Sequence, residues 1–435
     1  MSLNFNLSKS ETFHNDAYHF VNKNEIKSLA KKYPLQKDII MQEVDINNFQ
    51  GSYNESLTFN IFLNGQSVRL TILGLGDKKK LSNEKIFRIS SSITYKLTLL
   101  KNKMSSIDIF LPSSFTKDDC ENVFLGLYNG HYAFDRYKTK KANLNDLNIN
   151  IVLDSIKPNV FDRILRRSQG VSKGVNMTRN LVNEQPFVLT PEKMAEYSKL
   201  IAKNKNISCK VLDHVQLRKK GMNGIWDVGK GSSNLPRFIH LIYKGKSTKK
   251  KLRKVALIGK GMTYDSGGLS IKPADYMLTM KMDMAGAGCV LGVFESLGQL
   301  QPENIEVHGI VPTAENMLGP KAYKPDDIVN GLSGKTIEVI NTDAEGRVIL
   351  SDAIEYTNKL GVDEMIDLAT LTGACMVALG NFTAGLFSNT KKQADKILKT
   401  SNDAGEKIWQ LPLDEDLRPS ICLLYTSPSP RDLRL

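Results

Sequence analysis

From about Ser208 onward the chain alternates short apolar runs with helical stretches, and this alternation constrains its fold more than any other feature. CKVLD, FIHLIYKG, KVALIGKG, IEVHGIVP, TIEVINTD and EMIDLATLTGA read as strands. HVQLRKKGM, Ala285 to Leu300, Arg347 to Leu360 and a stretch near Lys392 to Ser401 read as helices. The pattern predicts an α/β unit with a mostly parallel sheet flanked by helices. Such sheets bind ligands beyond the carboxyl ends of their strands. Lys260 follows VALIG, Asn341 follows TIEVI and Thr370 follows MIDLA, so three loops are expected at one edge of one sheet.

The first 157 residues carry a second α/β pattern. LTFNIFL, VRLTILGLG, IDIFLP and NINIVLD read as strands, and Asp119 to Tyr132 as a helix. His14, His19 and His131 lie here without partners at metal-ligand spacing, so surface or hydrogen-bonding roles are expected. Residues 158–183 have helical apolar spacing and read as a linking helix. Thr190 then offers an N-cap and Pro191 a first helical position. A catalytic domain is expected over 184–421. The last fourteen residues, CLLYTSPSPRDLRL from Cys422, have neither period and read as a foreign tail.

Composition narrows the class. The chain of 435 residues has a formal charge of +13, with lysines clustered at Lys78 to Lys80 and Lys249 to Lys254. A nucleic-acid groove favours Arg and interleaved aromatics, so these runs read first as solvated surface. No apolar run approaches the roughly 20 residues of a membrane span, and the N-terminus lacks a secretory h-region. Five cysteines without a CxxC pair fit reduced thiols in a cytosolic protein.

Several familiar motifs fail on inspection. GLSGKT resembles the end of a phosphate loop, but Val329 stands where that loop needs glycine. GKG after VALI resembles a dinucleotide fingerprint, but Tyr264 fills its third glycine position. No HExxH and no GxSxG occurs.

What remains is KGMTYDSGGLSIKPADYMLTMKMD, from Lys260 to Asp283, and NTDAEGR, from Asn341 to Arg347. They supply the carboxylates Asp265, Asp283, Asp343 and Glu345 and the cations Lys260, Lys272 and Arg347. Unpaired buried charge is very costly, so these acids need counter-ions. An oxygen-rich set without histidine suits a pair of divalent ions about 3.5–4 Å apart, bridged by Asp265 and Glu345. Such a pair would supply hydroxide near neutral pH, pointing to hydrolysis. Lys272 would polarise a substrate carbonyl. Lys260 would ligate an ion only as the neutral amine, and Arg347 would hold an anion acting as base.

GKGMTYDSGGLSIKP, MKMDMAGAG, NTDAEGR and LATLTGA, with GVNMTRNLVNEQP and the FDRYK near Arg136, resemble the leucyl (cytosol) aminopeptidase family. The likeness runs from about Asn176 to Leu413. It implies a macro-like N-terminal α/β domain, a linking helix and a catalytic α/β domain. It further implies a cytoplasmic homohexamer that removes N-terminal residues from peptides with zinc or manganese. By motif, Lys260, Asp265, Asp283 and Glu345 would hold the tighter ion, and Asp265, Asp343 and Glu345 the more exchangeable one. Lys272 and Arg347 would be the catalytic pair, with bicarbonate on Arg347. Met280, Thr370, Leu371 and Gly373 would line the pocket for a large apolar N-terminal residue. Family members continue past Ile421, so the natural product is expected to be longer. Two rivals stand beside this reading: a DNA-binding member of the family and an inactive scaffold.

Overall fold

The computed structural model describes residues 3–8, 14–23, 25–99, 106–141, 146–153, 155–248 and 251–416. The terminal tail from Cys422, and Lys249 and Lys250 of the second lysine cluster, lie outside these residues. The chain forms two compact units, Met1–Ser172 with Ser401–Glu406, and Lys173–Thr400 with the chain from Lys407.

In the N-terminal unit the chain runs through β1 (Leu3–Ser8), β2 (Asp16–Asn22), α1 (Ile26–Lys31), α2 (Lys37–Ile46), β3 (Ser56–Leu63) and β4 (Gln66–Gly76). It continues through α3 (Asn83–Leu99), β5 (Ser106–Phe110), α4 (Lys117–Gly130) and β6 (Leu147–Val152). The described strands make one sheet in the order β1-β6-β5-β2-β4-β3. Only the β3–β4 pair is antiparallel. Ile86, Ile89 and Ile93 of α3 and Val123, Phe124 and Leu127 of α4 pack against one face. Leu29 of α1 and Ile40 and Val44 of α2 pack against the other. The sequence pattern missed β1 and β2. All seven residues of β2 are buried, yet Asp16, His19 and Asn22 interrupt its apolar run. Those polar groups find partners inside the fold: Arg69 for Asp16, the Tyr33 hydroxyl for His19, and Glu25 for Asn22.

The helix α5 (Pro158–Asn183) belongs to both units. Phe161 and Ile164 join the N-terminal core, and Leu181 joins a core of the second unit.

The second unit contains α6 (Pro191–Ile201), β7 (Ile207–Leu212), α7 (His214–Lys219), α8 (Asn223–Gly229), β8 (Arg237–Lys244), β9 (Arg253–Gly259) and β10 (Gly261–Asp265). After these come α9 (Ala274–Met277), α10 (Ala285–Leu300), β11 (Ile305–Asn316), β12 (Ile328–Asn330), β13 (Thr336–Glu338) and α11 (Glu345–Asn358). The described chain closes with β14 (Glu364–Leu368), α12 (Ala374–Leu379), β15 (Ala384–Leu386), α13 (Lys391–Ala404) and β16 (Ile408–Gln410). Thr190 caps α6 by accepting from the Lys193 amide at 3.2 Å. The main sheet runs β14-β9-β11-β8-β7, with β10 also paired to β11. It is mixed but mostly parallel: β8 alone runs antiparallel to both its neighbours. α7, α8 and α11 contribute to the core on one face, and α5, α6 and α10 to the core on the other.

Two expectations need correcting. TIEVINTD is not a strand of the main sheet. Only Thr336–Glu338 forms a strand, β13, and it pairs with β12 in a separate hairpin. Ile340 is left exposed, and the residues after it enter a 3-10 turn, Thr342–Ala344, that leads to α11. Composition also leaves one stretch, Ala274–Leu300, apolar and long enough to cross a membrane. It breaks into α9, a 3-10 turn and α10, and α10 buries Val290, Leu291 and Phe294 in the core.

Candidate metal centre and active site

Lys260 stands between β9 and β10, where its backbone is gripped from both sides. Its amide donates to the Leu368 carbonyl at 3.0 Å, and its carbonyl accepts from the Ala287 amide at 2.9 Å. The side chain is 2% exposed. Gly346 explains how it fits: a Cβ there would lie 2.7 Å from Lys260 Cε and 3.0 Å from Leu371 Cδ1.

Asp265 closes β10. The two glycines after it adopt left-handed backbone, φ +86° at Gly267 and +66° at Gly268, which a side chain would oppose. This turn brings the Gly267 amide back onto Asp265 Oδ1 at 2.9 Å. It also lets Thr342 Oγ1 donate to the Gly267 carbonyl at 2.6 Å. The DSGG turn is thereby laced to the segment that carries Asp343 and Glu345. Asp283 follows a 3-10 turn, Met280–Met282, which Thr279 enters in a left-handed conformation. Lys281 anchors that turn by donating to the Asn183 carbonyl at 2.6 Å. Glu345 begins α11.

These separate segments converge. One carboxylate oxygen from each of Asp265, Asp283 and Glu345 lies within 4.8 Å of the others, and all three residues are buried. Lys260 Nζ lies 2.8 Å from Asp283 Oδ1 and 2.9 Å from Glu345 Oε1. Lys272 Nζ lies 2.9 Å from Asp265 Oδ2 and also pairs with Asp343. Four carboxylates therefore share two ammoniums. The deficit shows in the protonation equilibria. Burial, only partly offset by Lys260, pushes Asp283 up to about 6. Burial, reinforced by the neighbouring Asp265 and Asp283 charges, pushes Glu345 up to about 7. For Lys260, burial works against the charge, but Glu345 and Asp283 outweigh it and raise its pKa. Asp283 Oδ2 and Glu345 Oε2 are buried without a hydrogen-bond donor. Oxygen atoms of this kind, in a cluster short of positive charge, fit divalent cations.

Of the expected pocket residues, Thr370 touches the site directly. Its hydroxyl donates to Asp283 Oδ1 at 2.8 Å, and its carbonyl accepts from Lys260 Nζ at 3.1 Å. Leu371 lies over Gly346. Met280 opens the turn that leads to Asp283, and Gly373 sits at the N-cap of α12. No described hydrogen bond or ion pair ties Met280 or Gly373 to the carboxylates. Arg347 is exposed in the first turn of α11, with no ion pair among the described residues.

The rejected phosphate loop has a different role. Gly331 to Lys335 is the turn of the β12–β13 hairpin, with Thr336 already in β13, and its Leu332 amide donates to buried Asp352 at 2.8 Å.

A family model described as the catalytic domain of the cytosol aminopeptidase family matches residues 176–423. A second, for the N-terminal domain of that family, matches residues 20–141. The chain belongs to the cytosol aminopeptidase family. A protein named "Probable cytosol aminopeptidase" from Aquifex aeolicus is 41% identical over 400 residues, 91% of this chain and 79% of that one. One of the same name from Persephonella marina is 42% identical over 381 residues, 86% of this chain and 75% of that one. A solved structure of a mutant tomato leucine aminopeptidase superposes with a TM-score of 0.84 at 30% identity, covering 95% of this chain and 83% of that one. Membership makes the protein a metal-dependent aminopeptidase with a two-domain α/β fold. None of these comparisons supports the DNA-binding rival.

Asn316 and Thr342 were not singled out in the sequence as site residues. Both are almost wholly buried and hydrogen-bonded at the carboxylate cluster. AEN at the end of IEVHGIVPTAEN carried no signal, because its meaning depends on the β10–β11 pairing.

Proposed function

We propose that the chain removes large apolar N-terminal residues from peptides, using two divalent ions held by the residues of the carboxylate cluster. Lys260, Asp265, Asp283 and Glu345 would hold one ion; Asp265, Asp343 and Glu345 would hold the other. The observation that carries this reading is the meeting of buried Asp265, Asp283 and Glu345 from three separate segments, with too little positive charge to neutralise them. Bound ions would lower the pKa of water for attack on the peptide bond and would receive the substrate's free α-amine.

The chain's own groups supply the rest. Lys272 Nζ, which pairs with Asp265 and Asp343, would donate to the scissile carbonyl oxygen as negative charge grows there. Lys260 would have to lose its Nζ proton to solvent to act as a ligand, which the positive charge of a bound ion would promote, leaving Asp283 and Glu345 ionised beside it. Arg347, at the N-terminal end of α11, suits an anion on both charge and helix dipole. Bicarbonate is the base that the family resemblance implies there. Thr370 holds Asp283 and Lys260 in register, while Met280, Leu371 and Gly373 would shape the pocket.

Zinc or manganese as the metal, a homohexamer and a cytoplasmic location are part of the same proposal. The relatives' name and the family resemblance support them.

The test is release of nitroaniline from leucine p-nitroanilide. Turnover should require added manganese or zinc, stop with EDTA and fail on the N-acetylated substrate. A folded protein that shows no turnover with either metal would favour the inactive scaffold.

A further inference from the structure

We propose that Asn316 is the positioning residue that joins the two parts of the carboxylate site, orienting Asp265 with one amide hydrogen and the Thr342–Glu345 segment with the other. The inference rests on the metal-site reading above and names a residue outside its proposed ligands.

Asn316 is the last residue of β11 and is 1% exposed. It is the register partner of Asp265 across the β10–β11 pair. Its backbone carbonyl is already held by the Ser266 amide at 3.0 Å and the Ser266 hydroxyl at 2.7 Å. The side chain is thus launched from a fixed backbone. Its Nδ2 donates to Asp265 Oδ1 at 2.9 Å and to the Thr342 carbonyl at 3.0 Å. An ionised carboxylate and a carbonyl can only accept, so the amide nitrogen must be the atom facing both. The amide oxygen is left buried without a donor. Accepting that cost marks the two donated bonds as the determinant of the side chain's orientation.

With the Gly267 amide also on Asp265 Oδ1, that oxygen has two donors, and Oδ2 is the one turned to Lys272. A neutral amide does this without adding positive charge that would compete with a cation. Thr342 directly precedes Asp343. The same nitrogen therefore sets the spacing between Asp265 on one side and Asp343 and Glu345 on the other. Tyr323 supports the second contact by donating to the Thr342 carbonyl at 2.6 Å, but it does not touch Asp265 in any described hydrogen bond.

The experiment is calorimetric titration of manganese(II) into EDTA-stripped, full-length protein, with circular dichroism to confirm folding. Asn316→Asp keeps the shape, removes both donors and sets a second carboxylate against Asp265. Asn316→Ala removes the donors alone and keeps the test open if the Asp variant does not fold. Partners that orient metal ligands typically contribute about 10–100-fold to affinity. Manganese affinity should fall by roughly that factor in Asn316→Ala and by more in Asn316→Asp. Tyr323→Phe should lose less than either. Excess manganese should recover much of kcat in Asn316→Ala, with KM for leucine p-nitroanilide little changed. A folded Asn316→Ala protein with wild-type manganese affinity and stoichiometry overturns this inference alone. Wild-type protein that takes up no manganese overturns the metal-site reading and this inference with it.

Discussion

In the N-terminal unit, the two buried carboxylates among the described residues find their partners inside the unit. Asp108 accepts from His14 and Asn150, and Asp16 meets Arg69. In the catalytic unit, Asp352 and Glu315 are likewise buried and are served by neutral donors, Ile225 and Leu332 for the first and Ser232 and Asn234 for the second. Asp265, Asp283, Asp343 and Glu345 differ from all of these, because they crowd together around only two ammoniums. Both units thus pair isolated buried acids within the chain, and the catalytic unit alone adds a cluster that is not so paired. Where each acid is satisfied by the chain, it serves the fold. Where acids are gathered and left short of counter-charge, the chain depends on something from solution, and that is where the chemistry belongs.

The sharpest test of this contrast is Glu345→Ala. It should abolish leucine p-nitroanilide turnover and stoichiometric uptake of two ions, measured by metal analysis after dialysis. Asp343→Ala, which alters the more exposed end of the cluster, should cost one ion and keep the other. Full two-ion binding in Glu345→Ala would break the bridging role. Next in size is Lys272→Ala, which should lower turnover by roughly 10²-fold while leaving metal content near normal. A variant with normal turnover would remove Lys272 from the chemistry.

A smaller effect is expected on the other side of the comparison. Arg69→Met should leave Asp16 buried without its cation and destabilise the protein by about 1–3 kcal/mol. Arg69 is partly exposed, so the low end is favoured. Its effect should appear in thermal melting, with metal uptake and turnover of the folded protein preserved. Loss of metal uptake there would erase the distinction between the units.

The smallest effect is on acid stability, and it should be shared by both units. Burial, with Lys32 nearby, lowers His19 to about 3. Burial, then His308 and Lys210, lowers His240 to about 4. Unfolded histidine takes up its proton near pH 6.5, while the folded forms stay neutral. The unfolded state therefore binds more of the histidine protons below about 6.5, so the histidines' contribution to stability should fall from there towards 4. Asp283 and Glu345, raised by burial to about 6 and about 7, take up protons in the folded state over the same interval and act in the opposite sense. Between pH 6.5 and 5.5 the loss should be on the order of 1 kcal/mol per histidine. The difference in denaturant midpoint between the wild type and His19→Gln across that interval checks it: the gap should shift in the variant's favour as pH falls, and a constant gap would remove His19 from the pH dependence.

Much of this was legible along the chain, for reasons that are local. A strand that alternates with helices announces itself through runs such as VALIG and through α10, whose bounds match the apolar pattern. Thr190 before Pro191 marks a helix start because capping involves only neighbouring residues. The carboxylates and lysines of the site were legible as residue types that water would otherwise keep. Sequence alone also carried the motifs that identify the family. Other features depended on residues brought together from far along the chain. β2 looked too polar for a central strand until Arg69, Tyr33 and Glu25 were seen to satisfy it. TIEVINTD looked like a sheet strand until β12 took up its first residues in a hairpin. Asn316 had no meaning until β10 lay beside β11 and its amide met both Asp265 and Thr342. Periodicity and capping act over a few residues and can be read in order. Satisfying buried charge and amides requires groups distant in sequence, so only the tertiary structure could decide how they were paired.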